Sequence, residues 1–158
     1  FLSSSLVLFL AFILCAFFKG GTPAKTPSDL FLSPIHQIEA SPFFSRIIAS
    51  KKEDLREHAK IAYLISRVRQ SPLLFIRNGQ SYNGLRAAAH LMMKYHRHLD
   101  SVKNAADFIK NVAACSLRTG EAYKIKFPDG NVYPSADVFF NELNILEERL
   151  QTRCRATL

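Results

Sequence analysis

No glycine-rich phosphate loop, no Gly-x-Ser-x-Gly elbow and no zinc-ribbon cysteine spacing occur in the 158 residues, so nothing in the chain carries those three chemistries. An internal repeat is also missing, which excludes solenoid architectures. Cysteine is scarce: of three, Cys15 lies in an apolar N-terminal stretch, leaving Cys115 and Cys154. Two thiols allow at most one intramolecular disulfide, so a disulfide-dense scaffold is excluded and free thiols are as good a reading as a bridge. His90, His96 and His98 crowd one predicted helix, but no pair has the i, i+4 spacing that puts two ligands on one face. With no carboxylate or cysteine to complete a set, neither a metal site nor a cofactor is expected.

What the chain does have is positive charge. Its formal net charge is +8, and residues 1–50 contribute only Lys19, Lys25 and Arg46 against Asp29 and Glu39. The excess therefore belongs to the C-terminal part, whose Leu, Ile, Val and Phe content is sufficient for a core. A basic surface favours nucleic acid, anionic lipid or an acidic glycan, although an unclustered excess mainly serves solubility.

The N-terminal run Leu6–Phe18 (LVLFLAFILCAFF) is uninterrupted by charge. It is short for a transmembrane helix, which needs about 20 apolar residues, and suits the roughly 7–15 of a signal-peptide core. No basic segment precedes it and Thr22-Pro23-Ala24 is a poor cleavage site, so residues 1–24 read as a signal peptide or, if uncleaved, a membrane anchor. Residues 25–50 carry Pro27, Pro34 and Pro42 among serines and read as a polar linker, whose apolar islands Phe31-Leu32 and Pro42-Phe43-Phe44 either dock on the domain or belong to a tether. Residues 51–158 form one small basic α+β domain with about four helices and a small antiparallel sheet.

The spacing Ser50-Lys51-Lys52-Glu53 predicts a capping box, followed by Leu55, Ala59, Ala62, Ile65 and Val68 at helical intervals up to Ser71-Pro72. Leu73–Ile76 predicts a buried strand leaving through Asn78-Gly79. A second helix is expected from about Tyr82 to Leu99, with Leu85, Ala88, Ala89, Met92, Tyr95, His96 and Leu99 inward and Arg86, His90, Lys94 and Arg97 on the opposite arc. A third is expected to begin at an Asn104 cap. Tyr123, Ile125 and Phe127 alternate with lysines and lead through Pro128-Asp129-Gly130 into a hairpin, and Phe139, Leu143, Leu146 and Leu150 mark a last helix.

Phe75-Ile76-Arg77-Asn78-Gly79, Tyr82, Ala88-Ala89-His90-Leu91, Lys94, Phe108-Ile109, Ser116, Gly120–Tyr123 and Pro134-Ser135-Ala136 together resemble the YfeK-like family of exported bacterial proteins, domain of unknown function 5329. The resemblance covers roughly residues 61–150 and implies an envelope or periplasmic location with no assigned activity. It departs from the family pattern at Ala114-Cys115 and Val138-Phe139, which implies that Cys115 lies outside any shared catalytic site.

The residues that combine this motif with suitable chemistry are Arg77, Asn78, Tyr82, His90 and Lys94, where cations can grip a carboxylate or phosphate and Tyr82 can pack on a sugar or peptide. The competing interpretation makes Asn78-Gly79 a turn, Tyr82 a core residue and Arg77 the partner of an acid. The leading functional expectation is an exported, non-catalytic module that binds an anionic glycan, peptide or protein partner. The first alternative is a small Cys-His hydrolase using Cys115 with His90, and the second a non-specific polyanion or nucleic-acid binder.

Overall fold

The Ser41 hydroxyl accepts a hydrogen bond from the Phe43 N–H, and Pro42 supplies a preset φ at the first helical position; together they open a helix, α1 (Pro42–Ala49). The structure, a computed structural model, describes residues 30–156. Within them the apolar islands dock: Leu30, Leu32, Ile38, Phe44 and Ile47 all enter the core. The packed unit thus already includes Leu30 and does not start at Lys51. Residues 1–24, with their signal-peptide or anchor reading, lie outside the described residues, among which no helix is long and apolar enough to cross a membrane.

Ser50 has a different role from the one its spacing predicts. Its N–H and its hydroxyl both bond back to the Arg46 carbonyl, the hydroxyl at 2.8 Å, so it closes α1 and does not open the next helix. That helix, α2 (Glu53–Gln70), begins after Lys52 without a side-chain cap, its N-terminal dipole met by Glu53 and Asp54. Ile61, Tyr63, Leu64 and Val68 are its buried face, whereas Leu55 is exposed.

The strand expected at 73–76 is β1 (Leu74–Arg77), and Asn78-Gly79 turns it into an unpredicted partner, β2 (Gln80–Tyr82). Both turn residues have positive φ, 49° and 73°, as a two-residue type I′ turn requires. Pairing through Arg77↔Gln80 consumes Tyr82, so α3 (Gly84–Arg97) starts later than expected, on an Asn83 side chain that accepts from the Arg86 N–H. The Asn104 cap opens α4 (Ala105–Phe108), which continues as a π-helical turn over Ile109–Ala113. The hairpin β3 (Lys124–Lys126) and β4 (Val132–Pro134) then leads directly into α5 (Ser135–Arg155). The sheet order is β2-β1-β3-β4, antiparallel throughout. The α+β class therefore holds, with five α-helices where about four were expected; α1 is the addition.

One face of α3 is not where apolarity placed it. Leu85, Met92 and His96 are exposed, and Lys94 is buried beside Ala88, Leu91 and Tyr95. The cause is Gly84. A Cβ built there would sit 2.2 Å from the Val68 carbonyl oxygen and 2.8 Å from that of Ser71, so α3 rests its first turn directly on the end of α2. That contact fixes the rotation of α3 and carries Lys94 inward.

Between α2 and α5 lies a buried ion pair, Arg67 with Glu142, 3% and 0% exposed. Glu142 also accepts from the Tyr63 hydroxyl (3.3 Å) and the Leu32 N–H (2.9 Å). Arg67 in turn donates to the carbonyls of Ser33 (2.6 Å) and Pro34 (3.2 Å), while the Ser33 hydroxyl donates to the Arg67 carbonyl. Burial, reinforced by the Glu142 charge, pushes the Tyr63 phenol far above its ordinary value and keeps it a donor.

Two predictions follow from this packing. Glu142→Gln leaves the Arg67 charge uncompensated and lowers stability by about 3–5 kcal/mol in urea unfolding, and a combined Arg67→Met, Glu142→Leu protein recovers only part of the loss, because the Leu32 N–H, the Tyr63 hydroxyl and the Ser33 and Pro34 carbonyls lose their partners. Gly84→Ala forces α3 off the end of α2 and costs about 1–3 kcal/mol in the same assay, with Leu85→Ala, a change on the solvent side, near neutral.

Candidate functional site

The β1–β2 hairpin projects Arg77, Asn78 and Tyr82 towards α3, which brings His90 to meet them. Among the described residues Arg77 finds no acid. Its Nη1 lies 2.7 Å from Nδ1 and 2.8 Å from Nε2 of His90 and donates to the unprotonated nitrogen of the ring. Its Nε is buried without a hydrogen-bond partner. Tyr82 lies between two guanidiniums, with Arg77 and Arg86 each 5.4 Å from its ring centroid. Asn78 makes the turn and its side-chain oxygen accepts from the Thr119 hydroxyl at 3.1 Å, holding the 116–120 loop against the hairpin.

Lys94 acts from beneath. Its ammonium donates to the carbonyls of Val112 and Cys115, each at 2.6 Å, and lies 5.0 Å from the ring centroid of Tyr123. These two carbonyls are available because the helix over 105–113 ends in a π-turn and leaves acceptors unpaired, which a cation at a helix C-terminus satisfies. Of the five residues singled out in the sequence, Arg77, Asn78, His90 and Lys94 border one depression and Tyr82 faces the one beside it, while Lys94 is a brace whose ammonium is spent on backbone carbonyls.

Residues outside the five nominated from the sequence complete the surroundings. Tyr123, from the start of the second hairpin, places its hydroxyl 3.4 Å from His90 Nε2, and its ring meets that of His90 edge-on. Arg97 and Arg118 add charge from the end of α3 and from the loop after the π-turn. The helical arc of His90 and Lys94 already includes Arg97, whereas nothing in the sequence indicates that the 116–120 loop folds back on Asn78 and brings Arg118 with it. Ser135 serves the scaffold: its hydroxyl donates to the Ala113 carbonyl and its N–H to that of Tyr123, tying α5 to both hairpin and π-turn.

Two hollows share this framework. One, about 490 Å³, is lined by Arg77, His90, Lys94, Arg97, His98 and Arg118 with Ser116 and, among the described residues, has no Asp or Glu on its wall. The second, about 320 Å³, lies between the hairpin and α3 over Phe75, Leu91 and Phe139. Arg77, His90, Met93 and Tyr123 line both. Burial, then the nearby charges of Arg77, Lys94 and Arg97, lowers the His90 pKa below its usual range. Burial likewise lowers that of Lys94 and raises that of Tyr123.

Cys115 is a half-buried free thiol in an isolated bridge to Ala122, and His90 spends its ring on Arg77 and Tyr123. No hydrogen bond joins Cys115 to His90 among the described residues. Cys154 is also free and sits exposed on α5, which continues as helix to Arg155 and does not fray before it. Among the described residues no group of three or more His, Cys, Asp or Glu could hold a metal ion.

A family model described as a family of unknown function, DUF5329, matches residues 55–147, more than half of the chain. No curated protein and no solved structure matches.

The lowered His90 pKa is open to direct measurement. In an NMR titration of the imidazole resonances, His90 titrates below the ordinary 6.5, and Arg77→Met moves it part of the way back because burial persists. Since the folded value lies beneath the unfolded one, the contribution of this ring to stability is complete above the unfolded pKa and is lost as pH falls through the folded one.

Proposed function

We propose, for a chain that belongs to DUF5329, a family of unknown function, that it is an exported, non-catalytic module which holds an anionic group of its ligand in the basic hollow. One observation carries the reading: Arg77, His90, Lys94, Arg97, His98 and Arg118 line a single depression that, among the described residues, has no carboxylate on its wall. The guanidiniums of Arg77, Arg97 and Arg118 line this one depression with the Lys94 ammonium beneath them; like charges so placed repel one another, and an anion relieves that repulsion, while His90 takes part as a neutral ring. The guanidiniums offer directional N–H donors suited to phosphate or carboxylate, with Ser116 beside them. A nucleic-acid backbone presents a row of phosphates and favours a stripe of charge; here the charges surround one bounded hollow.

Export is supported by the apolar run Leu6–Phe18 and by the resemblance to YfeK-like proteins. An envelope partner of this kind can be an acidic glycan, a peptide or a protein surface, all of which present carboxylates or phosphates to the same donors.

Inorganic phosphate, followed by NMR shifts of His90 and the arginine side chains, is a sufficient probe. Arg77→Ala combined with Arg118→Ala is expected to weaken its binding at least tenfold, about 1.4 kcal/mol, at an unchanged melting temperature. Lys94 is left intact because its removal would strip the Val112 and Cys115 carbonyls of their donor. Unchanged phosphate affinity in the double variant sinks the reading, and a parallel fall in melting temperature assigns the two arginines to the fold.

A further inference from the structure

The basic hollow shares a wall with something of opposite character. The adjoining cleft of about 320 Å³ falls at the lower end of small-ligand sites. Its floor is Phe75, Leu91 and Phe139, each buried in the main core, with Ile76 and Ala87 beside them. Its rim carries Arg77, Arg86 and Lys124 and, like the basic hollow, no carboxylate among the described residues. Tyr82, held between the guanidiniums of Arg77 and Arg86, supplies an aromatic side to the entrance. An apolar body placed there leaves water against aromatic and aliphatic surface, which is favourable in proportion to the area covered.

The partition between the two hollows contains Arg77, whose Nε is buried and unpartnered. Buried donors ordinarily have an acceptor, and leaving one unmet is costly. Nε has no solvent contact in this arrangement and meets an acceptor only as the Arg77 side chain turns; a ligand whose anionic end lies at this partition while its body lies over Phe75 would then meet both demands at once. We infer that the site takes a single-chain anionic amphiphile, an alkyl or aryl phosphate or carboxylate, with its head among the cations and its apolar body in the Phe75–Leu91–Phe139 cleft. This rests on the anion-binding reading for the head and adds the body. A bounded cleft encloses one dissolved chain and not a bilayer surface.

Calorimetric titration of the full chain with octyl phosphate, inorganic phosphate and octanol, below the micelle threshold, tests this. Octyl phosphate is expected to bind at least tenfold more tightly than either fragment. Ala89 lines the cleft and is exposed, so Ala89→Trp fills the space without entering the core. That variant is expected to lose the gain from the chain and to keep its inorganic phosphate affinity; Ala87→Leu is the second occluding change. Both variants retain residues 1–29, so amphiphile bound to the apolar N-terminal run would not respond to them. Equal affinity for octyl and inorganic phosphate, or octyl phosphate binding indifferent to both occluding variants, overturns the inference and leaves the anion reading in place. Failure of both phosphates to bind overturns the two together. Octanol binding as tightly as octyl phosphate removes the role of the head, and sedimentation with phosphatidylglycerol vesicles that octyl phosphate does not compete away assigns the charge to a membrane surface instead.

Discussion

Arg67 and Glu142 face one another in the interior with almost no solvent contact, and the arrangement of the helices depends on how that pair is satisfied. A buried carboxylate is tolerable only when its lone pairs are occupied. Here α2 supplies Arg67 and Tyr63, and the Leu32 amide closes the set. The guanidinium is answered in turn by the Ser33 and Pro34 carbonyls. A segment with no regular hydrogen-bonding ladder of its own can therefore lie against the core, because the pair meets its backbone groups. Leu30 and Leu32 then add apolar burial to the same seam.

This explains why the 25–50 stretch was the least legible part of the sequence. Its prolines and serines look like a linker, and the partners that hold its Leu32–Pro34 segment are more than a hundred positions away in Glu142 and about thirty away in Arg67. Where structure is local, the sequence was informative. The Asn-Gly turn, the Asn104 cap and the alternation of Tyr123, Ile125 and Phe127 each prescribe a conformation through their own few residues, and each is observed. The helix face of α3 was only half legible, since apolarity alone cannot anticipate that Gly84 sets its rotation or that a π-turn leaves carbonyls for Lys94 to meet.

The candidate site shows the same division. Arg77, Asn78, Tyr82, His90 and Lys94 could be nominated because residues on a hairpin and the following helix are near in sequence and so near in space. Arg97 shares the helical arc of His90 and Lys94, but Tyr123 and Arg118 could not be placed there, because their approach depends on the β1–β3 pairing and on Thr119 reaching Asn78. The chemical character of the site sits mainly in those later arrivals. Without them Arg77 and His90 are a polar pair beside a turn, and with them they become the partition between a charged hollow and an apolar one.

The β1–β3 seam therefore has a meaning for how the molecule assembles. The two outer pairings, β1 with β2 and β3 with β4, each close over a short turn, while joining Phe75 to Ile125 closes a loop of about 50 residues, at a larger entropic cost. Local hairpins of this kind form readily and long-range strand pairing comes with the cooperative step. The shared wall of the two hollows draws Arg77 from one hairpin and Tyr123 from the edge of the other, so it comes into being only when that seam is zipped. Chains caught part-way, with both hairpins made and the centre of the sheet open, have all the charges and no receptacle, and occupancy of the site is in that sense a readout of completed folding.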